Sequence, residues 1–120
     1  MGRIMLKRLI VLTLSTTLVA APAAMSADLG QQCFSGQYVS SLVDYPKPEL
    51  EVEINRRYEE AIAASQAKPV VYSRGHLWTW ANETAVSCGK AIGFLSSNEI
   101  NKEQITQCDC FYGVMFYLAN

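Results

Sequence analysis

Apolar residues recur with the period of an α-helix in three stretches of this chain, and the clearest of them lies between Leu77 and Leu95. Its inward-facing positions occupy about 100° of a helical wheel, the width of a stripe that faces a protein core. They are Leu77, Ala81, Thr84, Cys88, Ala91, Ile92 and Leu95. Ser96 and Ser97 interrupt the pattern, so we predict a helix that ends there.

A second helical pattern extends from Glu49 to Gln66 and predicts another amphipathic helix. The residues on its inner arc are Leu50, Ile54, Tyr58, Ala61 and Ser65. Glutamates in the first turn favour a helix start, because negative charge interacts well with that end of the helix dipole. The alternation of apolar and acidic residues from Leu50 to Ile54 would also suit a strand, but the helix formers that follow extend the helical period.

The third pattern begins at Asn101, a good helix cap, with Gln104 three residues later. It predicts a helix that runs toward Asn120. Its apolar face carries Ile105, Cys108, Tyr112, Met115, Phe116 and Ala119, with Phe111, Val114 and Leu118 beside it. We expect this helix to be buried on most sides. The aromatic residues between Cys110 and Leu118 leave a strand as the alternative.

A shorter stretch from Cys33 to Val43 also shows roughly helical spacing. Its apolar residues are Phe34, Tyr38, Leu42 and Val43. The two prolines at Pro46 and Pro48 then interrupt the chain, so we predict a short first helix that ends before them. The expected fold is therefore all-α, a small bundle of three to four helices in one domain.

The first 27 residues have the features of a secretory signal peptide. A basic head of Arg3, Lys7 and Arg8 precedes an apolar run from Leu9 to Ala21, and small residues follow. That run is shorter than the roughly 20 residues that a membrane-spanning helix needs. We therefore predict cleavage near Ala27, a mature domain of residues 28–120 without a stable membrane anchor, and a periplasmic (bacterial) or secreted location.

Loss of this segment would change the charge of the protein. The full sequence has ten basic and eleven acidic residues, and three of the basic ones lie in the first 27 positions, so the mature domain would carry a net charge of −4. Nucleic acids and anionic membranes recruit basic surfaces. We therefore expect neither of them as a partner, and the expected partner is another exported protein.

Four cysteines, Cys33, Cys88, Cys108 and Cys110, lie in the predicted mature domain. An even number in a small exported domain is typical of a disulfide framework. On a helix, Cys108 and Cys110 point about 160° apart and so need different partners. Cys88 and Cys108 lie on the core-facing stripes of adjacent helices, which favours Cys88–Cys108 with Cys33–Cys110. The swapped pairing, Cys33–Cys108 with Cys88–Cys110, is the alternative.

A different interpretation gives Cys108-Asp109-Cys110 a chemical function, as a redox-active dithiol or a pair of ligands for a soft metal. Reactive thiols usually have cationic neighbours that lower their pKa, whereas these two flank an aspartate. The cysteine spacings also differ from the Cys-x2-Cys knuckles of zinc sites. Structural disulfides are therefore the preferred interpretation. The sequence offers no catalytic, cofactor or metal site that would indicate an enzyme.

Trp78 and Trp80 flank the core stripe of the helix that starts at Leu77, so at least one ring should be partly exposed. Exposed tryptophans are frequent hot spots of protein interfaces, although both rings could simply cover the edges of a small core. The leading hypothesis is a protein-binding domain, such as an inhibitor, immunity-type or chaperone-like protein. The alternative is a thiol-redox or metal-handling protein that uses Cys108 and Cys110. A third hypothesis is a small-ligand carrier lined by Ile92, Tyr112, Met115 and Phe116.

Overall fold

The structure is a computed structural model that describes residues 32–34, 36–68 and 75–120. These residues form three α-helices and no strand: α1 (Lys47–Gln66), α2 (His76–Ser96) and α3 (Lys102–Ala119). None of the three combines the length and the hydrophobicity that crossing a bilayer requires. The predicted all-helical bundle is confirmed, and the strand alternative for the C-terminal stretch is wrong. The predicted signal peptide lies outside the described residues.

The start of α1 lies two residues before the predicted one, so that Pro48 occupies the second position of the helix. A proline is tolerated there because the first N–H groups of a helix have no acceptor within it, and its fixed φ already suits the helix. Prolines that appear to interrupt the sequence pattern therefore define where α1 begins.

The turn between α2 and α3 is set by a cap at each end. After α2, Asn98 has a φ of 59°, and the N–H groups of Asn98 and Glu99 donate to carbonyls in the last turn of the helix. Asparagine adopts this left-handed conformation more readily than most residues, so it can end a helix and reverse the chain. The side chain of Asn101 then accepts a hydrogen bond from the N–H of Gln104 at 3.1 Å, which confirms the predicted start of α3.

The buried residues form a continuous core between the helices. Near the α2–α3 turn lies the cluster that we call the main core, formed by Leu42, Leu50, Ile54, Cys88, Ala91, Leu95, Ile105 and Cys108. At the opposite end the buried residues are Ala61, Ala81, Ala85 and Met115. Successive helices are therefore antiparallel, and the ends of α1 and α3 lie beside the start of α2. The apolar stripes predicted for α1 and α2 face this core.

The short helix predicted from Cys33 to Val43 is wrong. The chain forms a turn at residues 32–34, an extended stretch, and one turn of 3-10 helix at Ser41–Asp44. Gly36 has a φ of 71°, and the side chain of Ser40 caps the 3-10 turn by accepting a hydrogen bond from the N–H of Leu42. Neither residue therefore continues a helix. Of the four apolar residues that suggested one, only Leu42 is fully buried.

Both predicted disulfides are confirmed. Cys88–Cys108 joins α2 to α3, and Cys33–Cys110 joins the N-terminal segment to α3, with Cα–Cα distances of 4.6 Å and 5.5 Å. Because Cys108 and Cys110 leave α3 on different sides, this helix is fixed to the rest of the fold in two directions. Two such bonds indicate an oxidising, extracytoplasmic environment.

Candidate functional site

The two tryptophans of α2 have different surroundings. Trp80 is half-buried, and its ring centroid lies 5.6 Å from that of Phe111. The same side chain packs against two of the buried clusters. Trp78, at the start of α2, is 37% exposed. Trp78 is thus the tryptophan that offers ring surface to a partner, whereas Trp80 contributes mainly to packing.

Phe116 is exposed, although the helical pattern predicts that it faces the core. Its exposed fraction is 56%, and that of the adjacent Tyr117 is 69%. The pattern would bury Phe116 only if another element covered this side of α3. The short helix predicted from Cys33 to Val43 does not form, and the segment in its place inserts Leu42 at the opposite end of the bundle. Phe116 therefore remains in contact with solvent.

An open groove of about 560 Å³ lies over the C-terminal half of α3, and we call it the α3 groove. Its lining residues are Gly113, Phe116, Tyr117, Leu118 and Asn120, none of which has a charged side chain. Four of them are spaced by three or four positions, so they share one face of the helix. The α3 groove is therefore an uncharged, partly aromatic surface on a helix that two disulfides hold in place.

Gly113 is unexpected in the middle of a helix. Glycine there costs about 1 kcal/mol relative to alanine. A Cβ atom at Gly113 would meet no atom within 4 Å, and the residue is exposed. Packing within the described residues therefore does not require a glycine at this position, although the missing side chain deepens the α3 groove beside Phe116.

The α3 groove and Trp78 lie at the same end of the bundle. Met115 of α3 packs with Ala81 of α2 in one buried cluster, and Trp78 precedes Ala81 by one helical turn. The exposed aromatic rings of Trp78, Phe116 and Tyr117 therefore belong to one end of the molecule, where α2 begins and α3 ends.

A polar cluster that the sequence did not predict surrounds Asp109 on α3. Its carboxylate accepts hydrogen bonds from the hydroxyls of Tyr38 at 2.7 Å and Ser40 at 2.6 Å, and it forms an ion pair with Arg57 of α1. The side chains of Asp109 and Arg57 are only 13% and 14% exposed. Asp109 therefore joins the N-terminal segment and α1 to α3. A single acidic residue between two cysteines of an apolar helix was the signal that could have suggested such a role.

A second set of polar contacts lies beside this cluster and holds α1 against α3. The Tyr112 hydroxyl donates a hydrogen bond to Glu60, and Arg56 donates to Glu53 and Glu60 at 2.9 Å and 2.7 Å. Burial raises the pKa of the Tyr112 phenol, and its hydrogen bond to Glu60 adds to the effect. The same bond holds the pKa of Glu60 below its usual range. The polar groups of this face are thus engaged with one another.

Tyr38 makes the stability of the protein depend on alkaline pH. Burial, with the hydrogen bond to Asp109 as a second cause, raises the pKa of Tyr38 from 10.0 to about 12. The folded state thus favours the protonated phenol, whose contribution is complete below pH 10 and is lost as the pH rises toward about 12. Over this interval we expect the free energy of unfolding to fall more steeply for the wild type than for Tyr38→Phe.

Urea denaturation at pH 9, 10 and 11 would measure this difference. All other side chains are the same in the two proteins, so the comparison isolates Tyr38. If the free energy of unfolding fell equally with pH in the two proteins, Tyr38 would not couple folding to pH.

The structure separates the residues on which the alternative functions depend. Cys108 and Cys110 are bonded to different partners, and no described cysteine is free. Within the described ranges, no group of three or more histidine, cysteine, aspartate or glutamate side chains is placed to hold a metal ion. Ile92 and Met115 belong to different clusters, and Phe116 is exposed, so these side chains do not enclose one ligand.

Comparisons with protein-family models, with curated proteins and with solved structures found no match to this chain. No family's site residues can therefore be transferred to it.

Proposed function

We propose that this chain is an exported protein-binding domain, acting as an inhibitor, immunity-type or chaperone-like protein in a bacterial periplasm or outside the cell. Its contact surface is the α3 groove, together with the ring of Trp78 at the same end of the bundle. The observation that carries the proposal is the pair of exposed aromatic rings, Phe116 and Tyr117, beside a helical glycine at which an added Cβ would meet no atom within 4 Å.

The composition of the α3 groove supports this function. The centres of protein interfaces are depleted in charged residues and enriched in aromatic ones, and tyrosine and tryptophan are frequent among the residues that dominate binding energy. The α3 groove has no charged side chain on its lining, although the predicted mature domain carries a net charge of −4. Gly113 leaves room for a side chain of the partner to approach the backbone of α3.

The two disulfides also favour binding. Association is weakened by the entropy lost when flexible groups become ordered at an interface. Cys108 and Cys110 fix α3 on two sides within five residues of Gly113, and the Asp109 cluster adds a third attachment. The helix that carries the groove is therefore already ordered before a partner arrives.

The test is capture of exported proteins from the source organism by the immobilised, oxidised protein. Gly113→Leu fills the α3 groove without disturbing the core, because a Cβ there meets no atom within 4 Å. We expect at least a tenfold loss of affinity for the captured partner, the effect of about 1.4 kcal/mol. Phe116→Ala with Tyr117→Ala should have a similar effect, and Trp78→Ala a smaller one.

The matched control is Gly93→Leu, the same change at a glycine of α2 that is also exposed and at which an added Cβ would also meet no atom within 4 Å. Gly93 lies toward the opposite end of the bundle, so this variant should capture the partner normally. If Gly113→Leu and Gly93→Leu capture the partner equally well, the α3 groove is not the contact surface.

A further inference from the structure

The segment before α1 is attached to α3 at separate points, and we call residues 32–34 and 36–45 the strap. Its first attachment is the Cys33–Cys110 disulfide. Its second is formed by Tyr38 and Ser40, which donate hydrogen bonds to Asp109. Leu42 then enters the main core and is 2% exposed. Before Tyr38, the Cys33–Cys110 disulfide is a covalent link between the strap and α3.

The two disulfides differ in their access to solvent. Cys88 and Cys108 both lie within helices and are 0% exposed. Cys33 and Cys110 are 6% and 8% exposed, and Cys33 belongs to a turn outside the helices. A surface pocket of about 340 Å³ opens beside Cys33 and is lined by residues of the strap and of the first half of α3. This pocket leads from solvent to Cys33, whereas Cys88 and Cys108 are fully buried, and access is one of the factors that control thiol–disulfide exchange.

The strap covers apolar surface that would otherwise be exposed. The ring centroids of Phe34 and Phe111 are 5.2 Å apart. Phe111 and Val114 are 1% and 7% exposed, and they form one cluster with Cys33 and Cys110. Moving the start of the strap away would remove Cys33 and Phe34 from this cluster and expose the side of Phe111 that Phe34 contacts, while Trp80 still packs against the ring.

We propose that the Cys33–Cys110 bond is a thiol–disulfide exchange site, and that its reduction by an exported dithiol protein releases the start of the strap and uncovers Phe111. The released part ends before Tyr38, since the hydrogen bonds to Asp109 and the burial of Leu42 do not depend on the bond. The helices stay together, because Cys88–Cys108 remains closed.

The exchange conserves atoms and electrons. A thiolate of the dithiol attacks the sulfur of Cys33, forming a mixed disulfide, and the sulfur of Cys110 leaves as a thiolate that takes a proton from water. The second thiol of the reductant then attacks the reductant sulfur that is bonded to Cys33, and Cys33 leaves as a thiol. Two electrons pass to Cys33 and Cys110, which become thiols, and the dithiol becomes a disulfide. A disulfide-bearing exported protein closes the bond again by the reverse exchange, in which its own disulfide takes up the two electrons and becomes a dithiol.

The uncovered surface continues the proposed contact surface. Leu118 packs against the cluster of Phe111 and Val114 and also lines the α3 groove. Reduction would therefore enlarge the apolar surface available to a partner. Only this consequence rests on the proposed function; release of the strap is a property of the chain alone and can be measured without a partner.

Partial reduction of the purified, oxidised protein by dithiothreitol tests the site directly. Samples are quenched with N-ethylmaleimide at increasing dithiothreitol concentrations, and the labelled cysteines are identified by mass spectrometry of the peptides. We expect half-labelling of Cys33 and Cys110 at a concentration at least tenfold below that needed for Cys88 and Cys108. Reduction of both bonds together, or of Cys88–Cys108 first, would overturn the proposal.

Release of the strap is measured on a Trp78→Phe variant, in which Trp80 is the remaining one of the two tryptophans. On selective reduction its emission should shift to the red, and the binding of an apolar dye should rise several-fold, while the far-ultraviolet circular dichroism stays constant. Unchanged emission and dye binding would show that the strap stays in place, and a loss of helical signal would show that the bundle itself opens.

Two further variants test whether Phe34 covers Phe111 in the absence of reduction. Phe34→Ala in the oxidised protein removes the ring that lies over Phe111 and should raise dye binding partway. Val39→Ala is the matched control, because this valine lies in the strap and is 75% exposed. If both variants bind dye equally, Phe34 does not shield Phe111.

Selective reduction without partner capture would contradict only the proposed function, and capture without selective reduction would contradict only the exchange site.

Discussion

Replacement of Asp109 with asparagine should lower the free energy of unfolding by about 2–4 kcal/mol. Removing one member of a buried ion pair typically costs about 3–5 kcal/mol, because the other charge stays buried without a counterion. The lower range applies here since both side chains retain slight solvent contact. The substitution also weakens the hydrogen bonds from Tyr38 and Ser40, which need a strong acceptor.

Urea denaturation followed by circular dichroism would measure this loss. Glu99→Gln is a suitable control, because it removes a carboxylate at an exposed position in the α2–α3 turn and should change stability by less than about 0.5 kcal/mol. Arg57→Met would complete a double-mutant cycle with Asp109→Asn, and the two losses should not add, since both break the same ion pair. Additive losses, or an effect as small as the control, would show that the pair does not hold α1 to α3.

Replacement of Cys88 and Cys108 together with alanine should cost about 3–5 kcal/mol. In the chain-entropy model, a bond that closes a loop of about 20 residues contributes roughly 3 kcal/mol. Both sulfurs are 0% exposed within the main core, so their removal also leaves a cavity, which adds to the loss. Small domains have total stabilities of about 5–15 kcal/mol, and this variant should therefore be close to unfolding at room temperature.

Hydrogen exchange would locate the effect as well as measure it, and the amides of α2 and α3 should lose protection together. Val86→Ala provides the control, because this valine lies two residues from Cys88 but is 52% exposed and should change stability by less than about 1 kcal/mol. Amides in α2 and α3 that kept their full protection in the double variant would show that packing alone holds the two helices together.

The helices and the disulfide pairing could be predicted because they depend on local periodicity. A helical α3 fixes the directions of Cys108 and Cys110, and the stripe of α2 fixes that of Cys88, so geometry leaves Cys33 for Cys110. The Asn101 cap was readable for the same reason, since it involves residues three positions apart. The short helix predicted from Cys33 to Val43 failed because its spacing was set by contacts with a distant helix.

The contacts of the candidate site could not be predicted from local periodicity. The partners of Asp109 lie 52 to 71 residues away along the chain, and no local pattern predicts which of several tyrosines, serines and arginines will reach it. Trp78 and Trp80 looked equivalent on a helical wheel, yet Trp80 packs against Phe111 and two buried clusters, whereas Trp78 is 37% exposed.

The sequence by itself determined the three long helices and the Asn101 cap of α3, and it favoured the disulfide pairing that the structure shows, because each of these depends on residues that share a helix turn or a helix face. Only the tertiary structure decided which surfaces of those helices are covered. It placed Asp109 at the junction of three segments, laid the strap over Phe111, and left Phe116 exposed beside Gly113. Burial is a property of what packs on a residue, and a helical pattern read from one helix does not say which of its apolar residues another element will cover.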